Sequence, residues 1–104
     1  MSKRPSALHS EEKAEEMALL ALRFLAEDGA RLGRFLSLTG IGPDDLRQNA
    51  GERHVLVAVL GHLLEDESLL LLFSGNNGLA PEDVVKAHRV LGGGFGPGPG
   101  DYPS

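Results

Sequence analysis

The sequence predicts an all-α fold, a compact bundle of about six helices built from two tandem three-helix units. Three observations carry this. Apolar residues recur at helical spacing along most of the chain. Caps and breakers punctuate them at intervals that suit short helices. The chain also repeats itself at an offset of 38 residues: residues 22–46 lie over residues 60–84 without a gap, with nine identities in 25 pairs. This composition would give roughly two by chance. Leu22/Leu60, Leu25/Leu63, Glu27-Asp28/Glu65-Asp66, Leu32/Leu70, Phe35/Phe73, Gly40/Gly78, Pro43/Pro81 and Asp45/Asp83 are the matched pairs.

Residues 1–9 read as a disordered N-terminus. Ser10 suits an N-cap, with Glu11 and Glu12 in a first helical turn where negative charge is favourable. Ala14, Met17, Ala18, Ala21, Phe24 and Leu25 form one apolar stripe, widened by Leu20 and Leu22, and this first helix should run to about Glu27. Asp28 can cap a second helix with Leu32, Phe35 and Leu36 inward. Gly40-Ile41-Gly42-Pro43 stops it and starts a third, because Gly40 can take the left-handed conformation and Pro43 suits the first helical position. The third helix is short and ends near Asn49-Ala50-Gly51, closing a first unit of about residues 14–51.

The second unit, about residues 52–91, follows the same grammar. Residues 52–65 are apolar on most sides, through Val55, Leu56, Val57, Val59, Leu60, Leu63 and Leu64. A helix apolar all round is a buried one, so this helix belongs at the centre. Asp66 caps a helix from Glu67 to Ser74, and Gly75-Asn76-Asn77-Gly78 breaks it. Pro81 opens the last helix, with Val84, Val85, Val90 and Leu91 inward. Residues 92–104, rich in Gly and Pro, read as a disordered tail. The folded domain is then residues 10–91.

A chain of 104 residues makes one domain, and one this size buries a little over about 60% of its unfolded surface. With four Phe, one Tyr and no Trp, leucine carries the core. The absence of cysteine excludes disulfides, thiol catalysis and cysteine–zinc sites. It also fits a reducing cytoplasm. The basic start Met1-Ser2-Lys3-Arg4 has no apolar segment behind it, so it does not read as a signal peptide, and no apolar run is long enough to span a membrane. A formal charge of −5 disfavours nucleic acid as the partner.

The residues Ala21-Leu22-Arg23-Phe24-Leu25-Ala26-Glu27-Asp28, Arg31-Leu32-Gly33-Arg34-Phe35-Leu36 and Leu38-Thr39-Gly40-Ile41 resemble a family, as do Pro43 to Arg47 and Leu79-Ala80-Pro81-Glu82. It is a short uncharacterised bacterial (alphaproteobacterial) helical family, a domain of unknown function. The resemblance covers about residues 14–92 and implies an all-helical, cytoplasmic bacterial protein. Its motifs are caps, stops and core positions, so it carries over no catalytic residue.

Each chemical motif has a structural reading beside it. Leu38-Thr39-Gly40-Ile41-Gly42-Pro43 is similar to the hairpin of helix-hairpin-helix DNA-binding modules, where glycines let backbone N–H groups approach a phosphate. Asp44 and Asp45 follow it directly and would repel that phosphate, so a tight interhelical turn explains it better. His54 and His62 are eight residues apart, about 12 Å along a helix, too far to share a metal. His62 with Asp66 offers only two ligands, and His62 takes the repeat position of Phe24, which suggests packing. The acidic pairs Glu27-Asp28 and Glu65-Asp66 read as a cap plus a solvated neighbour. No catalytic constellation emerges, and neither a cofactor nor a metal is expected.

Comparing the copies gives the functional expectation. Arg31, Gly33 and Arg34 in helix two become Leu69, Leu71 and Leu72 in helix five. With Leu70 and Phe73 facing the core, Leu71 and Leu72 should lie at or near the surface if both units fold alike, where adjoining exposed leucines mark an interface or a groove; the alternative is that this face packs on the other unit, the N-terminal helix or the C-terminal segment. Leu69, Leu71, Leu72 and Phe73 are the candidate contact surface of a small non-enzymatic interaction or adaptor domain, for another protein or a second copy. The alternative is nucleic-acid or ribosome-associated binding through Arg23, Arg31, Arg34 and Arg47 of the first unit.

Overall fold

The computed structural model describes residues 7–92, with side chains from Ser10 onward. Among the described residues there are six helices and no strand: α1 (Ala7–Ala26), α2 (Gly29–Thr39), α3 (Pro43–Asn49), α4 (Arg53–Leu64), α5 (Glu67–Asn76) and α6 (Pro81–Gly92). This is the all-α bundle expected. The terminal segments expected to be disordered fall outside the described residues at 1–6 and 93–104.

α1 begins at Ala7, three residues ahead of the expected cap, so Ser10 lies inside the helix. Ala7, Leu8 and His9 contain no breaker, and nothing obliges the helix to wait for a serine. Its stripe buries Ala14, Ala18, Ala21, Phe24 and Leu25. Three of these are alanines, which let neighbouring helices approach closely. Leu20, expected to widen the stripe, is largely exposed, because it lies on the flank beside Met17 and Phe24.

The punctuation works as the sequence implies. Asp28 is extended, and its carboxylate accepts from the N–H groups of Ala30 at 3.0 Å and Arg31 at 3.3 Å. Gly40 takes φ 79° and its N–H donates to the Leu36 carbonyl at 2.9 Å, a left-handed C-cap that an L side chain would strain. Asp66 caps α5 by accepting from the Leu69 N–H at 3.2 Å. α5 continues through Gly75 to Asn76, beyond the expected end at Ser74. Glycine lowers helix propensity without forbidding the helix, and the chain turns at Gly78, φ 64°. Pro43 and Pro81 stand at the first positions of α3 and α6.

α4 is the central helix, packed against α1, α2, α5 and α6. It buries Val55, Leu56, Val59, Leu60, His62 and Leu63. At its start, the Arg53 guanidinium donates to the Leu91 carbonyl at 2.7 Å and pairs with Glu11 at 3.5 Å, joining α4 to the end of α6 and the start of α1. α6 buries Val84, Ala87 and Leu91. Val85, expected inward, is exposed, since it sits one residue off that i, i+3, i+7 line.

Positions 38 apart share local roles. Asp28 and Asp66 cap, Gly40 and Gly78 take positive φ, and Phe35 and Phe73 are fully buried. Long-range packing does not repeat in the same way: α6 lies against α1 and α4, whereas α3 buries no residue. Polar contacts help hold α3 in place. Asp45 accepts from Asn49 at 2.6 Å and lies 3.5 Å from the His54 ring at the start of α4. The Asn49 amide, and then His54, hold the Asp45 carboxyl below its ordinary range.

Candidate functional site

The exposed side of α5 consists of residues that recur every three or four positions: Glu67, Ser68, Leu71, Leu72, Gly75 and Asn76. Leu71 is 52% exposed and Leu72 46%, each on a helix whose other leucines, Leu69 and Leu70, are half-buried against the core. Phe73 does not belong to this surface. It is 0% exposed, and its ring packs 5.5 Å from that of Phe24 at 57°. It follows Leu72 by one residue, about 100° around the helix, and so points at the core. The contact set expected from sequence therefore reduces to Leu71 and Leu72, with Leu69 contributing a half-buried edge.

Two of the four arginines, Arg31 and Arg47, are engaged within the chain. Arg31 lies 4.3 Å above the Phe24 ring, donates to the Phe24 carbonyl at 3.1 Å and sits 3.9 Å from Asp28. It is a brace between α1 and α2, not a free cation. Arg47 pairs with Asp44 at 2.7 Å. Arg34 lines a cleft of about 410 Å³ together with Glu65, Asp66 and Glu67. Arg23 is exposed. The hairpin at Gly40 to Pro43 leads into carboxylates that already have partners, Arg47 for Asp44 and Asn49 for Asp45.

His62 borders that same cleft but is itself 6% exposed. Its ring stands edge-on to Phe35 at 5.3 Å, and its Nε2 has no hydrogen-bond partner. Burial lowers its pKa below the ordinary imidazole value. Asp66 and Glu65 oppose that shift and Arg34 adds to it. Ser74 is likewise buried with an unpartnered Oγ. Among the described residues no three His, Asp or Glu side chains gather as a metal site.

A second surface feature was not legible in the sequence. An open apolar groove of about 500 Å³ runs between α1 and α6, floored by Ala14, Met17, Ala87 and Val90, with Leu20 and Leu79 at one end. Helices more than 50 residues apart form it, and their pairing is tertiary. Among the described residues, large apolar side chains are exposed at Leu19 and Leu20 on α1, Leu38 on α2, Leu71 and Leu72 on α5 and Val85 on α6.

No helix among the described residues is long and apolar enough to cross a membrane. No curated protein and no solved structure matches the chain. A family model described as "Protein of unknown function (DUF3572)" matches residues 11–94, and the chain belongs to that family.

Proposed function

We propose that this protein is a small non-enzymatic interaction domain whose contact surface is the exposed side of α5, centred on Leu71 and Leu72. The observation that carries the reading is their exposure, 52% and 46%, side by side on one helix. Scattered exposed leucines are ordinary; Leu71 and Leu72 adjoin, as Leu19 and Leu20 do on α1, and adjoining exposed leucines favour cover by another surface. The first unit has polar or small residues at the corresponding positions, Gly33 and Arg34, which need no cover. On this reading the two three-helix units are duplicates, and the leucine face arose where the second diverged. The shared caps, glycine turns and buried phenylalanines support that descent. The bacterial cytoplasm is the proposed setting, supported by the cysteine-free acidic sequence.

Nucleic-acid binding is the weaker reading. Two of its four arginines have intramolecular partners and a third borders three carboxylates. The acidic pairs offer no catalytic alternative, since Asp28 and Asp66 are engaged as caps.

The test is affinity capture from a lysate of the encoding organism with three baits: the native chain, Leu71→Glu/Leu72→Glu, and Leu38→Glu. Leu38 is 64% exposed on α2 and serves as a control for any exposed leucine. A protein captured by native and Leu38→Glu baits, and lost with the folded double variant, is the expected result. Identical recoveries from all three baits would refute the reading.

A further inference from the structure

We propose that the cleft between the ends of α2 and α4 and the start of α5 receives a lysine or arginine side chain of the protein that covers Leu71 and Leu72. This rests on the reading of the α5 side as a contact surface and adds the charge that its partner must carry.

The cleft and the leucines form one continuous surface. Glu67 and Ser68 line the cleft and also belong to the exposed side of α5. Leu71 is the i+4 neighbour of Glu67, and Leu72 is the i+4 neighbour of Ser68. A partner seated on the leucines therefore reaches the mouth of the cleft.

The lining selects a cation. Glu65, Asp66 and Glu67 set three carboxylates against one guanidinium, that of Arg34. None of these four makes an ion pair within 4 Å among the described residues. Asp66 spends one oxygen on the Leu69 N–H and keeps its charge. α4 ends here at Leu64, so the negative end of its dipole adds to the field of the acids. Burial lowers the His62 pKa, so the imidazole contributes no positive charge near neutral pH.

His62 is the independent sign of a ligand. Its side chain stands in the wall of the cleft, it is 6% exposed, and its Nε2 has no partner. Buried polar groups are normally paired. A neutral imidazole has one accepting nitrogen, and carboxylates only accept. Ammonium and guanidinium only donate, which is what such a lining lacks.

These features occur together in the second half of the chain alone. At the positions 38 residues earlier stand Phe24 for His62, Gly29 for Glu67, Arg31 for Leu69 and Arg34 for Leu72. The α5 side thus combines leucines with a net negative cleft, whereas the matching side of α2 carries arginines.

The test titrates the full, isotope-labelled chain with two capped peptides at about 50 mM salt, followed by the amide signals. The peptides have equal length and leucine content, and one carries lysines where the other carries glutamates. The lysine peptide should bind about fivefold tighter or more, and should move Glu67, Ser68, Leu71 and Leu72 together. Glu65→Gln/Glu67→Gln should weaken it about threefold or more. Glu12→Gln/Glu15→Gln removes the same charge from the exposed side of α1 and should not. Leu38→Glu adds an acid at the α2 rim of the cleft and should not weaken it either. Equal affinity for the two peptides overturns the proposal, as do equal losses from the two glutamine variants, which would reduce the preference to net charge. A lysine peptide that moves Leu71 and Leu72 but is indifferent to Glu65→Gln/Glu67→Gln removes the cleft and leaves the leucine surface standing. If neither peptide moves α5 signals up to about 2 mM, the cleft proposal falls, and the Leu71→Glu/Leu72→Glu bait decides the leucine surface separately.

Discussion

Replacing His62 with phenylalanine should stabilise this protein. The native imidazole is 6% exposed, and its Nε2 has no partner. A buried polar group left unsatisfied costs about 1–3 kcal/mol. Phenylalanine removes that cost and keeps the ring that meets Phe35 edge-on at 5.3 Å. It adds roughly one ring carbon, and overfilling a tight site can cost about 1–3 kcal/mol. Here the ring borders an open cleft, which gives the extra atom somewhere to go. The net expectation is a gain of about 1–2 kcal/mol, or a rise in Tm of about 5–10 °C for a domain of this size.

The same substitution should remove part of the acid sensitivity. Burial lowers the His62 pKa in the folded chain. The unfolded chain, with an imidazole pKa of about 6.5, then binds the proton more readily. Stability is therefore lost as pH falls through about 6.5 and levels off below the folded pKa. Asp45 titrates in a separate, lower window. Its lowered pKa gives stability that is present above the ordinary carboxylate range and lost as pH falls through the folded value. Urea denaturation at about pH 7 and about pH 5 isolates His62 from Asp45. The chain has no Trp and one Tyr, so helical circular dichroism is the signal to follow. His62→Phe should be more stable at both values, with a smaller difference between them than the native chain shows. A loss of more than about 1 kcal/mol at neutral pH would refute the argument, and would mean that Nε2 has a partner in solution.

Gly33 lies in the middle of α2, and a Cβ built there meets nothing within 4 Å. Gly33→Ala should therefore raise stability by about 0.5–1 kcal/mol, read from the urea midpoint at unchanged m. A destabilised variant would show that α2 packs differently. Asp28→Ala removes the acceptor for two N–H groups at the start of α2 and should cost about 1 kcal/mol. Asp28→Asn should recover most of this, and a neutral Asp28→Ala would remove Asp28 as a cap.

The sequence was most legible where one residue decides local backbone. Asp28, Gly40, Pro43, Asp66 and Pro81 each have a steric or hydrogen-bonding reason to stand at a helix end, and each does. The central place of α4 follows from apolar residues on nearly all its sides. Legibility fails where the answer depends on a neighbour distant in sequence. Val85 looked as apolar as Val84, but only the angle at which α6 meets α1 and α4 decides which of them is buried. The α1/α6 groove depends on that same pairing, and no periodicity within either helix announces it. α3 and α6 share an opening grammar, yet α6 buries three side chains and α3 none. Phe73 and Leu72 are adjacent and both apolar, so composition does not divide core from surface between them; the match of Phe73 to Phe35 points Phe73 inward, yet its apolar neighbours place it in the expected contact set. The helical turn divides them.

That division is the point on which the interaction surface stands, and paired denaturation curves test it most directly. Leu71→Glu/Leu72→Glu should fold with native circular dichroism and lie within about 1 kcal/mol of the native chain, as surface changes do. Phe73→Ala, which empties a fully buried site against Phe24, should lose about 3–5 kcal/mol. If instead the double glutamate variant loses as much as Phe73→Ala or fails to fold, Leu71 and Leu72 belong to the core, and α5 presents no contact surface.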